Sequence, residues 1–212
     1  SDLFFMEKAK ANASPILFDG SEYILKDQVE EELDSYDLIF MRKEPPYDLA
    51  FHYATHLLSL TSAKVVNSPS ALRDFNEKLI ALQFPQFMPK TLVSADSERI
   101  VSFAKECGDL VVLKALDSYQ GKVVRRISSS DPVLHNMARL STEDGKKPIM
   151  VQEFLPNISA GDKRILLLGE KFLGAVNRIP KEGSYLSNFG QGGTGEKASL
   201  TAEEERMVSS IG

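Results

Sequence analysis

Lys114 stands inside VVLKAL (residues 111–116), an apolar run whose length and branched side chains predict a buried strand. A buried ammonium group without an anion or a hydrogen-bonding partner is costly, so Lys114 must reach one of these or bend to the surface. Lys78 precedes it in SPSALRDFNEKL (residues 68–79), for which we predict a helix. IMVQEFL (residues 149–155) follows and predicts a strand with a polar edge. This order of two lysines and a polar strand edge is typical of a nucleotide gripped between two small sheets.

Hydrophobic patterning predicts alternating helices and strands along the rest of the chain. Residues 14–27 predict a hairpin that turns at Asp19-Gly20, and DLIFMR (residues 37–42) predicts a buried strand. Residues 48–60 have helical periodicity, and the pattern restarts at Pro85 with a new sheet. The glycine-rich stretch GSYLSNFGQGGTG (residues 183–195) predicts a mobile lid, and we keep the name "lid" for these residues.

Arg42 and Lys43 follow the strand predicted at residues 37–42. Ligands of open α/β sheets lie at the carboxyl ends of strands, so we interpret this pair as an anion site for a substrate carboxylate. The alternative is a solvated pair of charges.

Composition excludes several other classes of protein. The net charge is −5 without a basic patch, which argues against a nucleic-acid partner, and no apolar run has transmembrane length. The single cysteine, Cys107, cannot form an internal disulfide and fits a packing position in a reducing cytoplasm. His52 and His56 stand four residues apart, as metal ligands on one helix face would, but no third ligand is near in sequence and packing is the favoured interpretation.

Four stretches resemble motifs of the ATP-grasp ligases, and within them those of prokaryotic-type glutathione synthetases. MRKEPPYD (residues 41–48) is similar to the family's MRKDPPFD, and NSPSALRDFNEKL (residues 67–79) to its NKPQSLRDCNEKL. GDKR (residues 161–164) and RIP (residues 178–180) match a turn and the opening of the family's lid. The resemblance runs from about Leu38 to the C-terminal end.

The resemblance implies an α/β fold of the α+β sandwich type, the ATP-grasp fold. An incomplete N-terminal substrate domain with a parallel sheet would occupy residues 1–84. Two small antiparallel-sheet subdomains would grip ATP, the first at residues 85–155 and the start of the second, with the lid, at residues 156–212.

The resemblance also implies a role for each matching residue. The residues expected to bind ATP are Lys78, Lys114, Gly121, Gln152, Glu153, Phe154, Leu155 and Asp162. Those expected to act on the reacting groups are Arg164, Arg178 and Asn188, and those expected to bind substrate are Arg42, Lys43 and Arg164. The implied cofactors are ATP and Mg²⁺, with Mn²⁺ as the alternative metal. The implied partners are a dipeptide and an amino acid, and the implied assembly is a homo-oligomer.

The chain departs from the family pattern in its flap and its lid. The flap turn DSYQG (residues 117–121) keeps one glycine, Gly121, where the family has DGMGG, and non-glycine residues crowd a phosphate. Leu186 and Thr194 stand at the lid's two arginine positions. Three hypotheses therefore stay open: a ligase that joins γ-glutamylcysteine to glycine, another ATP-grasp ligase such as a glutamate-adding enzyme, and a nucleotide-binding module without catalysis.

The chain begins without methionine and stops inside a predicted helix, so we expect a fragment. The family's magnesium ligands, an aspartate and a Glu-x-Asn set, would follow Gly212, and none is visible in this chain.

Overall fold

The computed structural model describes residues 2–43, 46–118 and 124–211. The chain divides into two compact units, residues 1–80 and 81–212. This boundary follows Ile80, close to the domain boundary predicted after Phe84. The further division predicted after Leu155 stays a prediction.

The first unit combines an antiparallel sheet, a hairpin and a parallel strand pair. Its elements in chain order are β1 (Asp2–Met6), β2 (Lys8–Ala13), β3 (Ile16–Phe18), β4 (Tyr23–Leu25), β5 (Val29–Glu32), β6 (Leu38–Phe40), α1 (Leu49–Leu58), β7 (Lys64–Val66) and α2 (Pro69–Asp74). Strands β1, β2 and β5 form the antiparallel sheet, β3 and β4 the hairpin, and β6 and β7 the parallel pair. The parallel pair and the antiparallel sheets agree with the predicted fold class.

Alternation along the strands builds the core of the first unit. Ala9 and Ala11 of β2 point inward and pack with Leu33 and with Leu58 of α1. Ile39 of β6 packs against the same cluster.

The predicted hairpin is confirmed, and its turn is held by one carboxylate. Asp19 Oδ1 accepts hydrogen bonds from the backbone amides of Ser21 and Glu22 at 2.9 and 3.0 Å, while Gly20 has a φ of +100°. Hydrogen bonds from the Glu22 amide and from the hydroxyl and amide of Ser21 lower the pKa of Asp19 to about 2.

The prediction of a buried strand at residues 37–42 is wrong in length and in burial. β6 covers only Leu38–Phe40, and Phe40 is 63% exposed. Only Ile39 of the three faces the core, because neighbouring strand residues point to opposite faces.

The prediction of a helix through Lys78 is also wrong. α2 begins at Pro69, as predicted, but ends at Asp74, and Phe75 leaves helical backbone with φ −110° and ψ 85°. Asn76 Oδ1 then accepts hydrogen bonds from the amides of Lys78 and Leu79 at 2.9 and 3.2 Å. A short polar side chain that bonds the following amides stabilises a turn in competition with the helix.

The second unit contains two antiparallel sheets. Its elements are β8 (Thr91–Ser94), α3 (Ser97–Cys107), β9 (Leu110–Ala115), β10 (Val124–Ser128), α4 (Leu134–Ser141), β11 (Ile149–Glu153), β12 (Asp162–Leu168), β13 (Lys171–Ile179), β14 (Thr194–Ala198) and α5 (Ala202–Ile211). One sheet has the order β10-β9-β11-β8 and the other β12-β13-β14.

Helices α3 and α4 cover one face of the four-stranded sheet. Val111, Leu113 and Val151 point from that face into a core that includes Ile100 and Ala104 of α3. The strand predicted around Lys114 is therefore confirmed, and its inward residues alternate with Lys114.

A turn precedes helix α4. Asp131 Oδ1 accepts a hydrogen bond from the amide of Val133 at 2.9 Å, and α4 begins only at Leu134. Asp131 thus closes a turn before the helix instead of capping it.

Candidate functional site

The face of the four-stranded sheet opposite its helices carries the polar residues of the candidate site. Lys114 on β9 pairs with Met150 on β11, and Val112 pairs with Gln152. Residues that face each other across an antiparallel pair share a face, so Lys114 and Gln152 point to the same side. Thr91 of β8 pairs with Gln152 and joins them.

A chain of hydrogen bonds fixes the Lys114 side chain on this face. Lys114 Nζ donates to Gln152 Oε1 at 2.5 Å, and Gln152 Nε2 donates to Thr91 Oγ1 at 2.9 Å. Thr91 Oγ1 donates in turn to the carbonyl of Pro89 at 2.8 Å. Gln152 is only 8% exposed, so its amide is held tightly. Val112 and Met150 share this face and are themselves buried. An ammonium group fixed in this way suits an anionic ligand.

The strand edge predicted to reach a nucleotide base ends at Glu153. The amide of Glu153 bonds the carbonyl of Lys90 at 3.0 Å, and the amide of Phe154 bonds that of Leu110 at 3.1 Å. The Phe154 ring contacts the Arg126 guanidinium, and Leu155 is exposed. The binding roles of Gln152, Glu153, Phe154 and Leu155 stay predictions.

A second polar cluster lies at the start of the three-stranded sheet. Arg178 of β13 donates through Nε and Nη2 to the two carboxylate oxygens of Asp162 on β12, each at 2.6 Å. Arg178 Nη1 also donates to Asn188 Oδ1 of the lid at 3.2 Å. Three of the predicted residues are thus joined in one network, although their roles in binding and catalysis stay predictions.

This network holds the Arg178 side chain in place and leaves little of it exposed. The Arg178 side chain is 11% exposed, and two-pronged pairing with a carboxylate is the strongest geometry available to a guanidinium. Asp162 and Asn188 therefore determine where the Arg178 charge lies. Arg164, two residues after Asp162 on β12, shares its face by alternation and is exposed.

The lid packs against its own sheet through close backbone contacts. A Cβ on Gly193 would lie 2.4 Å from the carbonyl oxygen of Ser187, and a Cβ on Gly195 2.8 Å from the Phe189 ring. Ser187 itself is 4% exposed. These glycines are needed because the lid doubles back on itself here.

Arg42 and Lys43 lie at the rim of a cleft of about 690 Å³ in the first unit. The cleft's apolar wall includes Leu33, Met41 and Leu57, and both cations are exposed. An apolar cleft with cations at its rim suits a small molecule with a carboxylate. Their role in substrate binding stays a prediction.

Lys78 lies in the turn after α2 and not on a helix. Its Nζ contacts Oε1 of its sequence neighbour Glu77 at 2.7 Å. Its expected contact with ATP stays a prediction.

Gly121 and the flap residues from Tyr119 to Val123 lie outside the described residues. Within the described ranges, no group of three or more His, Cys, Asp or Glu side chains could hold a metal ion. His52 and His56 lie together, with their Nε2 atoms 3.3 Å apart.

Sequence reasoning missed two residues of the site, Arg126 and Tyr185. Arg126 follows Val124 by two positions on β10, so strand alternation placed it beside Lys114 and was the available signal. Tyr185 is brought to Arg126 by the path of the lid, for which the sequence carries no signal.

Both parts of the chain match models of one protein family. The family model "Prokaryotic glutathione synthetase, ATP-grasp domain" matches residues 77–212, and the model of the N-terminal domain of the same family matches residues 1–73. The glutathione synthetase of Parasynechococcus marenigrum is 44% identical over 85% of this chain and 60% of its own length. That of Bradyrhizobium diazoefficiens is 36% identical over 91% of this chain and 62% of its own length. The chain thus spans about three fifths of the length of these relatives.

Solved structures support the fold. The ATP-grasp ligase PsnB, complexed with a phosphomimetic variant of its minimal precursor, Mg and ADP, has a TM-score of 0.55 and 17% identity. The match covers 92% of this chain and 68% of that one. In the described ranges, no helix is long and apolar enough to cross a membrane.

Proposed function

Because the chain belongs to the prokaryotic glutathione synthetase family, we propose that the protein is an ATP-dependent carboxylate–amine ligase that joins γ-glutamylcysteine to glycine. The observation that carries the proposal is the Lys114 ammonium held by Gln152 on the face of the four-stranded sheet opposite α3 and α4. Both substrates are small molecules, which agrees with the cleft of the first unit.

The proposed reaction has two steps. A substrate carboxylate oxygen attacks the γ-phosphorus of ATP, the bond to the β-phosphate oxygen breaks, and ADP leaves. The amine nitrogen of glycine then attacks the acyl carbon, phosphate leaves, and the nitrogen loses a proton. Positive groups that neutralise the transferring phosphoryl charge provide most of the catalysis in such reactions.

Lys114 is the group in this chain best suited to bind the ATP phosphates. A lysine ammonium is a compact donor of charge-assisted hydrogen bonds, and the bond to Gln152 orients it before ATP arrives. Lys78 is proposed as a second phosphate contact on the strength of its motif.

Asp162, Arg178 and Asn188 are proposed to hold a positive charge near the transferring phosphoryl group. The two bonds from Arg178 to Asp162 keep the guanidinium in one place, so it needs no reorganisation during the reaction. Arg164, exposed on the same face of β12 as Asp162, is proposed to bind a substrate group. Arg42 and Lys43 of the first unit are proposed, from their own cleft, to bind a substrate carboxylate.

Mg²⁺, with Mn²⁺ as the alternative, would neutralise charge on the ATP phosphates when bound. The described residues contain no cluster of three potential ligands, so we assign no metal contact to them. The proposed location is the cytoplasm, which fits a chain whose single cysteine, Cys107, is unpaired.

The test is ADP release by the purified protein with ATP, Mg²⁺, γ-glutamylcysteine and glycine, with each substrate omitted in turn. Release that requires both substrates supports the proposal. Bound ATP without ADP release contradicts it and favours a different substrate pair, for which Leu186 at the lid's arginine position is the specific observation. Failure with every dipeptide and amino acid pair would leave a nucleotide-binding module.

A further inference from the structure

Arg126 of β10 lies between two aromatic rings. Its guanidinium carbon is 5.2 Å from the centre of the Phe154 ring and 5.1 Å from that of the Tyr185 ring. Phe154 directly follows β11, and Tyr185 belongs to the lid. One cation therefore joins the polar strand edge to the lid, at distances where a guanidinium is attracted to the faces of both rings.

Tyr185 contacts the same strand a second time. Its hydroxyl group donates a hydrogen bond to the carbonyl oxygen of Val124 at 3.1 Å. Val124 is the first residue of β10 and follows the flap turn by three positions in the sequence. Tyr185 thus contacts the backbone of Val124, at the base of the flap, and the side chain of Arg126, two residues further along β10.

These contacts lie beside Lys114. Val124 pairs with Lys114 across β9 and β10, and Arg126 pairs with Val112. Since Lys114 and Val112 point to the face that carries Gln152, the Arg126 side chain leaves the sheet on that face as well. The lid is therefore attached at the edge of the candidate nucleotide surface.

We propose that Tyr185 and Arg126 are positioning residues that hold the lid against the base of the flap and so increase the affinity for ATP. The effect on ATP affinity rests on the proposed function, whereas the contacts of Tyr185 and Arg126 do not depend on it. The lid carries Leu186 where a direct ionic contact would need an arginine. The Tyr185 contacts instead attach this lid to β10 of the same chain.

The experiment measures hydrogen–deuterium exchange of the lid amides in the nucleotide-free protein, together with KM for ATP and kcat. Tyr185→Phe removes only the hydroxyl group and should raise lid exchange about two- to tenfold, as expected for one hydrogen bond. Arg126→Met removes the cation from between the rings and should raise it by a similar factor. Both variants should raise KM for ATP more than they lower kcat.

Arg125→Met is the matched control, because Arg125 lies next to Arg126 but points to the other face of β10. It should leave lid exchange unchanged. Wild-type lid exchange in Tyr185→Phe and Arg126→Met would overturn the proposal, and so would an equal rise in Arg125→Met. Because exchange is read without ATP, a protein that releases no ADP would contradict the proposed function and still report on this attachment.

Discussion

Lys114 places a charge on a largely buried strand, and the side-chain amide of Gln152 stabilises that charge. Gln152 Oε1 accepts a hydrogen bond from the Lys114 ammonium group, and Gln152 Nε2 donates one to Thr91 Oγ1. Both polar atoms of the Gln152 side chain are therefore hydrogen-bonded. A polar group that is buried with its hydrogen bonds made costs little, whereas the same group left unpaired costs about 1–3 kcal/mol. The hydrogen bond to Gln152 therefore makes a charged Lys114 compatible with its place in the strand.

Lys114→Ala should weaken ATP binding by about tenfold or more, because it removes the charge-assisted phosphate contact proposed for this lysine. Binding measured by isothermal titration calorimetry checks this expectation. Lys105→Ala on α3, on the side of the sheet away from the candidate surface, is the control and should bind ATP as the wild type does. Unchanged ATP affinity in Lys114→Ala would refute the role of this lysine.

Asp162→Asn should destabilise the protein by about 1–3 kcal/mol, because Arg178 is largely buried and would lose a charged acceptor. Chemical denaturation measures this change. Asp144→Asn is the matched control: Asp144 pairs with Arg139, but both side chains are well exposed, and such pairs contribute little. Equal effects of the two substitutions would show that the Asp162 pair is an ordinary surface contact.

The individual residues of the site differed in how far they could be predicted. Lys114, Asp162, Arg178 and Asn188 were predicted from sequence patterns, and their roles stay predictions. The hydrogen bonds among the last three could not be read from the sequence. These bonds join residues on two strands and a loop, and their distances depend on the register between β12 and β13. Tyr185 was missed for the same reason, since only the path of the lid brings it to β10.

At the scale of elements, α5 shows how local chemistry and packing combine. The amide of Thr201 donates to Glu204 Oε2 at 2.7 Å, and the amide of Glu204 donates to Thr201 Oγ1 at 3.2 Å, which forms a capping box. Lys163 of β12 donates to the same carboxylate at 2.6 Å. Glu204 thus starts the helix and also holds it to the sheet.

Glu204→Gln should lower the free energy of unfolding by about 1 kcal/mol at neutral pH. The Lys163 hydrogen bond, followed by the Thr201 amide, lowers the pKa of Glu204 below its usual 4.5. A lowered folded-state pKa contributes stability above the unfolded-state pKa, and this contribution disappears as the pH falls through the folded-state pKa. The difference between wild type and variant should therefore shrink on acidification.

Urea unfolding at about pH 7 and about pH 3 measures this difference on both sides of the usual glutamate pKa. Glu203→Gln is the control, because Glu203 lies in the same first turn outside the capping box. A wild-type-to-variant difference that stays constant between the two pH values would contradict the assignment.

The two elements predicted incorrectly failed for a physical reason. Residues 68–79 have helical composition, but Asn76 bonds two backbone amides and stabilises a turn instead. Residues 37–42 are apolar enough for a buried strand, yet Leu38 and Phe40 face away from the core. Composition reports how apolar a segment is, whereas burial depends on which neighbours cover each of its faces.

At the scale of the whole molecule, each compact unit has its own hydrophobic core. The core of residues 1–80 includes Ala9, Ala11, Leu33 and Leu58, whereas that of residues 81–212 is formed around Ile100 and Val111. The division into two units follows Ile80, five residues before Pro85. The arrangement of strands within each sheet was beyond single-sequence reasoning, since pairs such as β2 with β5 join segments far apart in the chain.

Leu58→Ala should lower the free energy of unfolding of the first unit by about 2–5 kcal/mol, because the leucine is only 3% exposed and its loss leaves a cavity. Hydrogen–deuterium exchange read by mass spectrometry should then rise in peptides from residues 1–80. Leu60→Ala is the matched control two residues away: Leu60 is exposed, so the expected change is within about 0.5 kcal/mol. If Leu58→Ala instead raised exchange equally around Ile100, the two cores would form one cooperative unit, since a cavity in one core would then destabilise the other.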